Sequence, residues 1–243
     1  MAAHNGARFI REQVESILSQ LRPGDELIVV DDASSDDTVA ILASYRDPRI
    51  RIIPQAPNCG VLKTFERALR EATGEIIFLC DQDDIWRGDK IDKTLQAFKR
   101  LPGATLVLSN GDLIDSRGRL LQEALHAGDR LPLGVASNLL KNRYQGSTMA
   151  FRREILQAAL PFPGGIPMHD SWIGMVNAVV GRAVYLPQKL IFYRRHGDNA
   201  TSRRHGPLHR MAAQRWGLLK ALICRAGALL RVRRVVRAQL SAP

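Results

Sequence analysis

The chain has 243 residues, which fits one domain or one domain with an appended tail, and its contents of 45% hydrophobic and 24% charged residues are usual for a globular protein. Its three cysteines are odd in number and lack C-x-x-C spacing, which argues against a disulfide framework or a zinc site and for a reducing compartment. The net charge is +11, but ten basic residues and no acidic residue follow Asp198, so residues 1–198 carry only +1.

The first half of the chain predicts alternating helices and strands. Their order is a helix from about Ala7 to Leu21, a strand Glu26–Val30, a helix ending at about Tyr45, a strand Ile50–Pro54, a helix Gly60–Thr73, a strand Ile76–Cys80 and a helix from about Asp89 to Leu101. This alternation is typical of an α/β sheet with helices on both faces.

Two of these strands run directly into acidic clusters. Glu26–Val30 is followed by the run from Asp31 to Asp36, and the apolar strand Ile76–Cys80 is followed by the run from Asp81 to Asp84. Carboxylates crowded at the end of a buried strand repel one another, which favours a bound divalent cation such as Mg²⁺ or Mn²⁺. Ligands of open α/β sheets collect at this end of the strands. A solvated acidic turn is the alternative interpretation of the second cluster.

The second half of the chain is less regular. Its predicted elements are strands at Thr105–Ser109 and Gly146–Arg152, a helix that opens at Met168 and runs through Val180, and two strands at Ala183–Leu186 and Leu190–Arg194. From about Leu208 to Leu240 the tail predicts a basic helix with an apolar face. That face could lie on an anionic membrane or pack on the body of the protein, and the pattern leaves both interpretations open.

With both acidic clusters in place, the sequence resembles the family-two glycosyltransferases of the GT-A fold, and among them the bacterial rhamnosyltransferase-like branch. The motifs that carry this resemblance are His4-Asn5-Gly6, Asp31 to Asp36, Asn58-Cys59-Gly60-Val61, Asp81 to Asp84 with Trp86 and Lys90, Gly146-Ser147-Thr148, His169-Asp170-Ser171-Trp172, and His196 with Asn199. The resemblance implies a mixed-sheet GT-A domain over residues 1–205, with a nucleotide-binding half at about 1–110 and an acceptor half at about 111–205. The basic helical tail then covers 206–243.

The resemblance assigns the first acidic cluster to the donor nucleotide. Asp32 resembles the carboxylate that accepts from a pyrimidine N–H, Asp31 stands beside it in the same motif, and His4 falls where an aromatic ring commonly lies against the base. Lys63 could add a cation on the phosphates.

The second acidic cluster is expected to bind the metal. Asp83 resembles the direct ligand of Mg²⁺ or Mn²⁺, and Asp81 resembles the contact to the ribose or to a metal-bound water. His196 resembles a further metal ligand or diphosphate contact, with a plain surface histidine as the alternative. The metal would neutralise charge on the leaving nucleoside diphosphate.

Two residues of the motif from His169 to Trp172 are assigned to the acceptor side. Asp170 is the candidate general base for a single inverting displacement, and a carboxylate stabilised at a helix N-terminus is the alternative. Trp172 could form an apolar platform for a sugar face or could be a core residue.

One departure from the family pattern concerns the first strand. The family places a short apolar strand just before the position of Ala3-His4-Asn5, and here only Met1-Ala2-Ala3 stands there. We therefore expect a gap in the core beside unpaired backbone, and we hypothesise a start site further upstream.

The resemblance thus implies an inverting, metal-dependent glycosyltransferase that moves a sugar from dTDP-rhamnose or a UDP-sugar to a cell-surface glycan or its lipid-linked precursor. We expect it in the cytoplasm, because residues 1–10 lack the pattern of a signal peptide, with the tail bringing it to the inner face of the membrane.

A truncated, inactive homologue is an alternative. A nucleotidyltransferase is a weaker one, since the run from His4 to Arg8 is a poor phosphate loop. A nucleic-acid-binding protein is disfavoured because the carboxylates would repel phosphate, so no nucleic-acid partner is expected.

Overall fold

The computed structural model describes residues 1–197 and 208–240. Along these residues the elements are β1 (Ala2–Ala3), α1 (Ile10–Leu18), β2 (Leu27–Asp32), α2 (Thr38–Ser44), β3 (Ile50–Gln55), α3 (Val61–Glu71), β4 (Ile76–Phe78), β5 (Ile85–Trp86), α4 (Lys90–Arg100), β6 (Leu106–Asp115), β7 (Leu120–Gln122), α5 (Val135–Leu140), β8 (Met149–Arg152), α6 (Leu156–Ala159), α7 (His169–Val180), β9 (Ala183–Arg195), α8 (Leu208–Cys224) and α9 (Ala226–Leu240). The predicted boundary between residues 205 and 206, and the motif residue Asn199, lie outside the described residues.

A small parallel sheet has the order β1-β2-β3. Every residue of β2 is buried, and β2 pairs with β3 from Leu27 opposite Ile50 to Asp32 opposite Gln55. The predicted strand is therefore confirmed, but it continues through both aspartates at the start of the first acidic cluster. This places Asp32 at the carboxyl end of a buried strand.

A larger mixed sheet has the order β4-β8-β6-β9-β5, with β7 paired to β6. β6 and β9 run parallel, whereas β8 is antiparallel to both β4 and β6. Val107 and Ala150 pack against α4 on one face, while Leu106 and Met149 join the cluster of α3 and α7 on the other. Helices therefore cover both faces of a mixed sheet, as predicted.

The two sheets are separated by a cavity of about 350 Å³. Its wall includes Ile28 of β2, residues 76–80 of and after β4, and Met1. The amino group of Met1 donates to Ile28 O at 2.7 Å, and Met1 O accepts from Val30 N at 3.0 Å, so the chain begins as a partner of β2. This cavity lies where a gap in the core beside the first strand is expected.

The segment from Ile76 to Trp86 borders the cavity with its first residues and then forms the second acidic cluster. β4 ends at Phe78, two residues earlier than predicted, and Leu79 and Cys80 continue it as buried residues. After the acidic loop, the unpredicted strand β5 pairs with β9 through Ile85 opposite Phe192. The loop is thus held between two paired strands of the larger sheet.

Two predictions in the second half need correction. The strands predicted at Ala183–Leu186 and Leu190–Arg194 are one strand, β9, whose register on β6 shifts near Asn110. The strand predicted from Gly146 begins only at Met149, because Gly146–Thr148 form a turn of 3₁₀ helix.

The tail forms two helices instead of one, with the break at Arg225. Leu222 of α8 and Leu229 of α9 are buried in the same apolar cluster as Trp172 of α7. Leu222 and Leu229 therefore pack on the body of the protein, as the second of the two interpretations of the tail's apolar face predicts. Among the described residues, the helices are too short or too polar to cross a bilayer.

Candidate active site

The sequence-predicted residues meet at a cleft of about 360 Å³. It lies at the carboxyl ends of β1, β2 and β4 and is closed on the other side by the start of α7. Its wall includes His4, Asp32, Asn58, Gly60, Thr64, Asp81, Gln82, Asp83, Gln145, Gly146, His169, Asp170 and Tyr193. Five predicted site residues therefore share one cleft, namely His4, Asp32, Asp81, Asp83 and Asp170.

Asp32 is held by the loop that follows β3. Its Oδ1 accepts from Cys59 N at 2.7 Å and from Gln55 Nε2 at 2.8 Å, and its Oδ2 accepts from Gly60 N at 2.8 Å. Burial alone would raise the pKa of Asp32, but these hydrogen bonds outweigh it and hold the pKa below the usual value. Gly60 has a φ of 83°, which glycine adopts without strain. An ionised Asp32 thus fixes this wall of the cleft.

His4 lies beside Asp32 at the end of β1. Its Nδ1 is 2.8 Å from Asp32 O, to which the ring donates, and its Nε2 is 3.3 Å from Asn5 Nδ2. The ring is exposed, so one face is open for contact with a planar ligand.

Two predicted donor residues are placed away from the described wall of the cleft. Asp31 is buried and accepts from both the hydroxyl (2.5 Å) and the backbone N–H (3.0 Å) of Ser34, which makes it a turn-forming residue. Lys63 lies exposed on α3. The structure does not bring these two side chains to the cleft with the others.

The second acidic cluster brings carboxylates into close proximity. Burial raises the pKa of Asp81 to about 7, and the neighbouring Asp83 and Asp170 contribute to the same shift. Burial, together with the neighbouring Asp83 and Asp81, holds the pKa of Asp84 well above its usual range. Asp84 Oδ1 accepts from Arg194 N at 2.9 Å, so its role is to anchor β9. Bound positive charge would relieve the repulsion among these groups.

Asp83 and His196 form the candidate metal pair. Asp83 Oδ2 lies 2.8 Å from His196 Nε2, although the two residues are 113 positions apart in sequence. Both side chains are mostly buried, and the His196 ring packs on Phe9 with 4.6 Å between ring centroids. Within residues 1–197 and 208–240, no group of three or more His, Cys, Asp or Glu side chains is placed to hold a metal ion. The Asp83 carboxylate suits Mg²⁺ or Mn²⁺ provided that water and diphosphate oxygens supply most of the other ligands, and His196 Nε2 lies close enough to contact the same ion or the diphosphate.

Asp170 occupies the first turn of α7. Its Oδ2 accepts from Gly146 N at 3.0 Å and its Oδ1 from Ser171 N at 2.5 Å. Burial nevertheless dominates and raises the pKa of Asp170 to about 6. A Cβ at position 146 would lie 3.1 Å from His169 Nε2, so glycine allows the close approach of this turn to α7. The result is a carboxylate tuned toward neutral pH, as a general base requires.

The prediction that Trp172 forms a platform for a sugar face is wrong. Its side chain is 0% exposed, and the indole N–H donates to Ala159 O at 2.8 Å inside the core. The guanidinium of Arg225 lies 5.6 Å from the ring centroid and covers it from the side of the tail helices. Trp172 therefore belongs to the core, the alternative given for it.

Sequence reasoning missed two residues that support the site. Arg194 is buried, its Nε donates to Asp83 O at 2.8 Å, and its guanidinium pairs with Glu12. Gln82, between the two metal-side aspartates, bonds to the backbone of His4. The available signal for Arg194 was limited to the basic run Arg194-Arg195-His196 at the end of a predicted strand.

Solved structures of similar backbone define the class of the fold. The chain resembles TarS of S. aureus (residues 1–349, in complex with UDP-GlcNAc) with a TM-score of 0.69 and 19% identity, over 84% of this chain and 60% of that one. It resembles a mannosyltransferase of Pyrobaculum calidifontis, in complex with GDP-Man and Mn²⁺, with a TM-score of 0.60 and 18% identity, over 100% of this chain and 74% of that one. The chain therefore has the GT-A fold of glycosyltransferases.

Sequence comparison adds the family. The model of glycosyl transferase family 2 matches residues 1–159, so the chain belongs to glycosyl transferase family 2. It is 29% identical over 209 residues to an uncharacterized glycosyltransferase of Nostoc sp., covering 81% of this chain and 63% of that protein. It is 29% identical over 211 residues to the succinoglycan biosynthesis protein ExoO of Rhizobium meliloti, covering 82% and 60%. The chain spans about three fifths of the length of these curated relatives.

Proposed function

We propose that this protein is an inverting, metal-dependent glycosyltransferase of polysaccharide biosynthesis. The observation that carries the proposal is the convergence of three carboxylates on one cleft: the ionised Asp32, Asp83, which contacts His196, and the buried Asp170. Family membership supports it, as do the names of ExoO and of TuaG of Bacillus subtilis, which is named for teichuronic acid biosynthesis and is 31% identical over 163 residues. Family membership also favours glycosyl transfer over nucleotidyl transfer.

In this proposal the first wall of the cleft binds the pyrimidine base. The hydrogen bonds from Gln55 and Cys59 both end on Oδ1 of Asp32, whereas Oδ2 accepts from Gly60 N. A carboxylate oxygen has two lone pairs, so Oδ2 is the oxygen with capacity for a base N–H. The exposed ring of His4 supplies the adjacent planar surface. This chemistry accepts uracil and thymine alike, which is why we propose a UDP-sugar or dTDP-rhamnose as the donor.

The opposite wall performs the chemistry. Asp170 takes the proton of an acceptor hydroxyl while that oxygen attacks the anomeric carbon opposite the departing diphosphate, which inverts the configuration. Gly146 N and Ser171 N hold the carboxylate in place for this transfer. Mg²⁺ or Mn²⁺ bound by Asp83 and His196 would neutralise the negative charge on the diphosphate. The acceptor we propose is a cell-surface glycan or its lipid-linked precursor.

The test is calorimetric titration of UDP and dTDP with and without Mn²⁺ on the wild type and on Asp83→Ala. We expect metal-dependent binding by the wild type and its loss in the variant. Asp89→Ala is the matched control, because Asp89 is an exposed carboxylate at the start of α4 that pairs with Lys93. Binding of neither nucleotide by the folded wild type would refute the donor site and favour an inactive homologue. Rhamnose is then tested by turnover of dTDP-rhamnose against UDP-sugars.

We also propose that the tail helices touch the inner face of the cell membrane, with the enzyme in the cytoplasm. The apolar side of α8 is buried, but Trp216 (64% exposed) and Ile223 (63% exposed) face outward one heptad apart, with Lys220 exposed between them. On α9 the exposed Leu230 is followed by the exposed Arg231. Apolar side chains among cations suit anionic lipid headgroups.

Cosedimentation with vesicles tests the membrane contact. The wild type should bind vesicles that contain phosphatidylglycerol and not vesicles of phosphatidylcholine alone. The double variant Trp216→Ser/Ile223→Ser should release the protein, whereas the control Leu120→Ser/Leu121→Ser, at exposed leucines of β7, should not. Equal binding by all three proteins would refute the proposed surface.

A further inference from the structure

The carboxamide of Gln82 pairs with both backbone groups of His4. His4 N donates to Gln82 Oε1 at 2.9 Å, and Gln82 Nε2 donates to His4 O at 2.9 Å. This exchange of two hydrogen bonds is what a residue on a neighbouring strand would supply. Gln82 lies between Asp81 and Asp83, so the contact joins the end of β1 to the acidic loop across 78 positions of sequence.

The sequence makes room for this carboxamide with a glycine. A Cβ on Gly6 would lie 2.3 Å from Gln82 Oε1 and 2.5 Å from Gln82 Cδ. The φ of Gly6 is not in the left-handed region, so backbone conformation does not require glycine here. Glycine is required at this position because a larger residue would occupy the space of the Gln82 carboxamide.

We propose that Gln82 is a positioning residue that holds the base-binding and metal-binding ends of the donor site at a fixed separation. The inference rests on the proposed function. A nucleoside diphosphate has to reach from His4 and Asp32 to Asp83 at once, and two loops that are already placed bind it without the cost of ordering them. β1 pairs with β2 over just two residues, and the backbone N–H groups of residues 5–7 donate to side chains of residues 34–38, in and just after the first acidic cluster. Those contacts fix the His4 segment on the base-binding side, and the two hydrogen bonds of Gln82 join that segment to the acidic loop.

Two substitutions remove the same contact from opposite sides. Gln82→Ala deletes the carboxamide, and Gly6→Ala displaces it. In the double variant the new methyl group at position 6 occupies space that Gln82 has left. We therefore expect each single variant to weaken the binding of UDP with Mn²⁺ about tenfold, and the double variant to be no weaker than either.

Pyrophosphate with Mn²⁺ distinguishes positioning from general support of the fold, because it occupies the metal end without a base. We expect all variants to bind Mn²⁺-pyrophosphate as the wild type does, with unchanged melting temperatures. Gln122→Ala, at an exposed glutamine of β7, is the control and should bind UDP normally.

Each result has a definite meaning. A wild type that binds neither UDP nor dTDP overturns the proposed function and this inference with it, and dTDP replaces UDP in these comparisons if the wild type binds dTDP alone. A wild type that binds UDP while Gln82→Ala binds it equally well overturns the inference alone. Equal losses of UDP and pyrophosphate also overturn it, because Gln82 would then support the acidic loop in general. If Gly6→Ala fails to fold, Gln82→Ala with the two ligands decides the matter.

Discussion

Replacing Asp170 with asparagine separates a catalytic carboxylate from one that merely stabilises the start of α7. The side chain is buried and its pKa is raised to about 6, from a usual 3.8. Gly146 N and Ser171 N oppose this shift by donating to the carboxylate, and Asp81, itself with a raised pKa, is the other acid that interacts with it. The neutral amide keeps the shape of the side chain and removes the basic oxygen.

The magnitudes follow from the pKa. If the general base has a pKa of about 6, about a tenth of the enzyme molecules carry it ionised at pH 5 and about nine tenths at pH 7. We therefore expect kcat/KM to rise about tenfold between pH 5 and pH 7. An aspartate of ordinary pKa would be almost fully ionised throughout this range. Loss of the base in Asp170→Asn should lower kcat by about 10² to 10⁴.

The stability of the protein should change in the opposite direction. Because the folded state raises the pKa of Asp170, the protonated form is favoured on folding, and the resulting stability is present below about pH 4 and lost as the pH rises through 6. At pH 7 the ionised side chain costs up to about 3 kcal/mol, a cost that the neutral amide of the Asp170→Asn variant would not incur. We expect Asp170→Asn to melt no lower than the wild type at pH 7, although its amide N–H₂ must face one backbone N–H.

The assay is release of nucleoside diphosphate from donor and acceptor at pH 5 to 8, together with thermal unfolding at pH 7. Asp89→Asn, at an exposed site, is the matched control and should change neither quantity. A flat kcat/KM between pH 5 and 7 would refute the assignment. So would an Asp170→Asn variant that keeps more than a tenth of the activity, since the carboxylate would then be a helix-stabilising group.

Three further outcomes are expected. Gly146→Ala should lower kcat at least tenfold while donor binding persists in calorimetry, because its Cβ would lie 3.1 Å from His169 Nε2 and 3.5 Å from Asp170 Cβ; unchanged kcat would contradict the close approach described here. Trp172→Ala should reduce the free energy of unfolding by about 3 to 5 kcal/mol in urea titration, as for other fully buried aromatic residues, and a loss below about 1 kcal/mol would contradict its place in the core. Leu222→Asp should destabilise the protein strongly and Ile223→Asp hardly at all, since Leu222 is buried and Ile223 is 63% exposed; equal melting temperatures would mean that α8 does not pack on the body.

The sequence was sufficient to predict those strands whose own residues form an apolar run. β2 and β3 are short apolar runs, and the acidic clusters at the ends of β2 and β4 could be read directly because strand ends collect ligands. The meeting of Asp32, Asp83 and Asp170 required the family resemblance, since spacing along the chain contains no information on which strand ends are neighbours.

The errors came from long-range packing. α7 is buried on almost all sides, so its apolar pattern could not show whether Trp172 faces the cleft or the core. β9 was predicted as two strands because Pro187, Gln188 and Lys189 interrupt the apolar run, yet parallel pairing with β6 carries the strand across them. The tail was predicted as one helix, and the break at Arg225 coincides with a hydrogen bond from its guanidinium to Ala158 O at 3.0 Å.

The cavity between the two sheets has a consequence for how residues 1–243 can pair with another extended chain. β4 pairs with β8 along one edge, and among the described residues its other edge borders the cavity, as does Ile28 of β2. A strand edge that is not paired is a template on which another extended chain can add. A short apolar peptide, supplied in trans to residues 1–243, should therefore raise their melting temperature by adding a strand along this edge of β4.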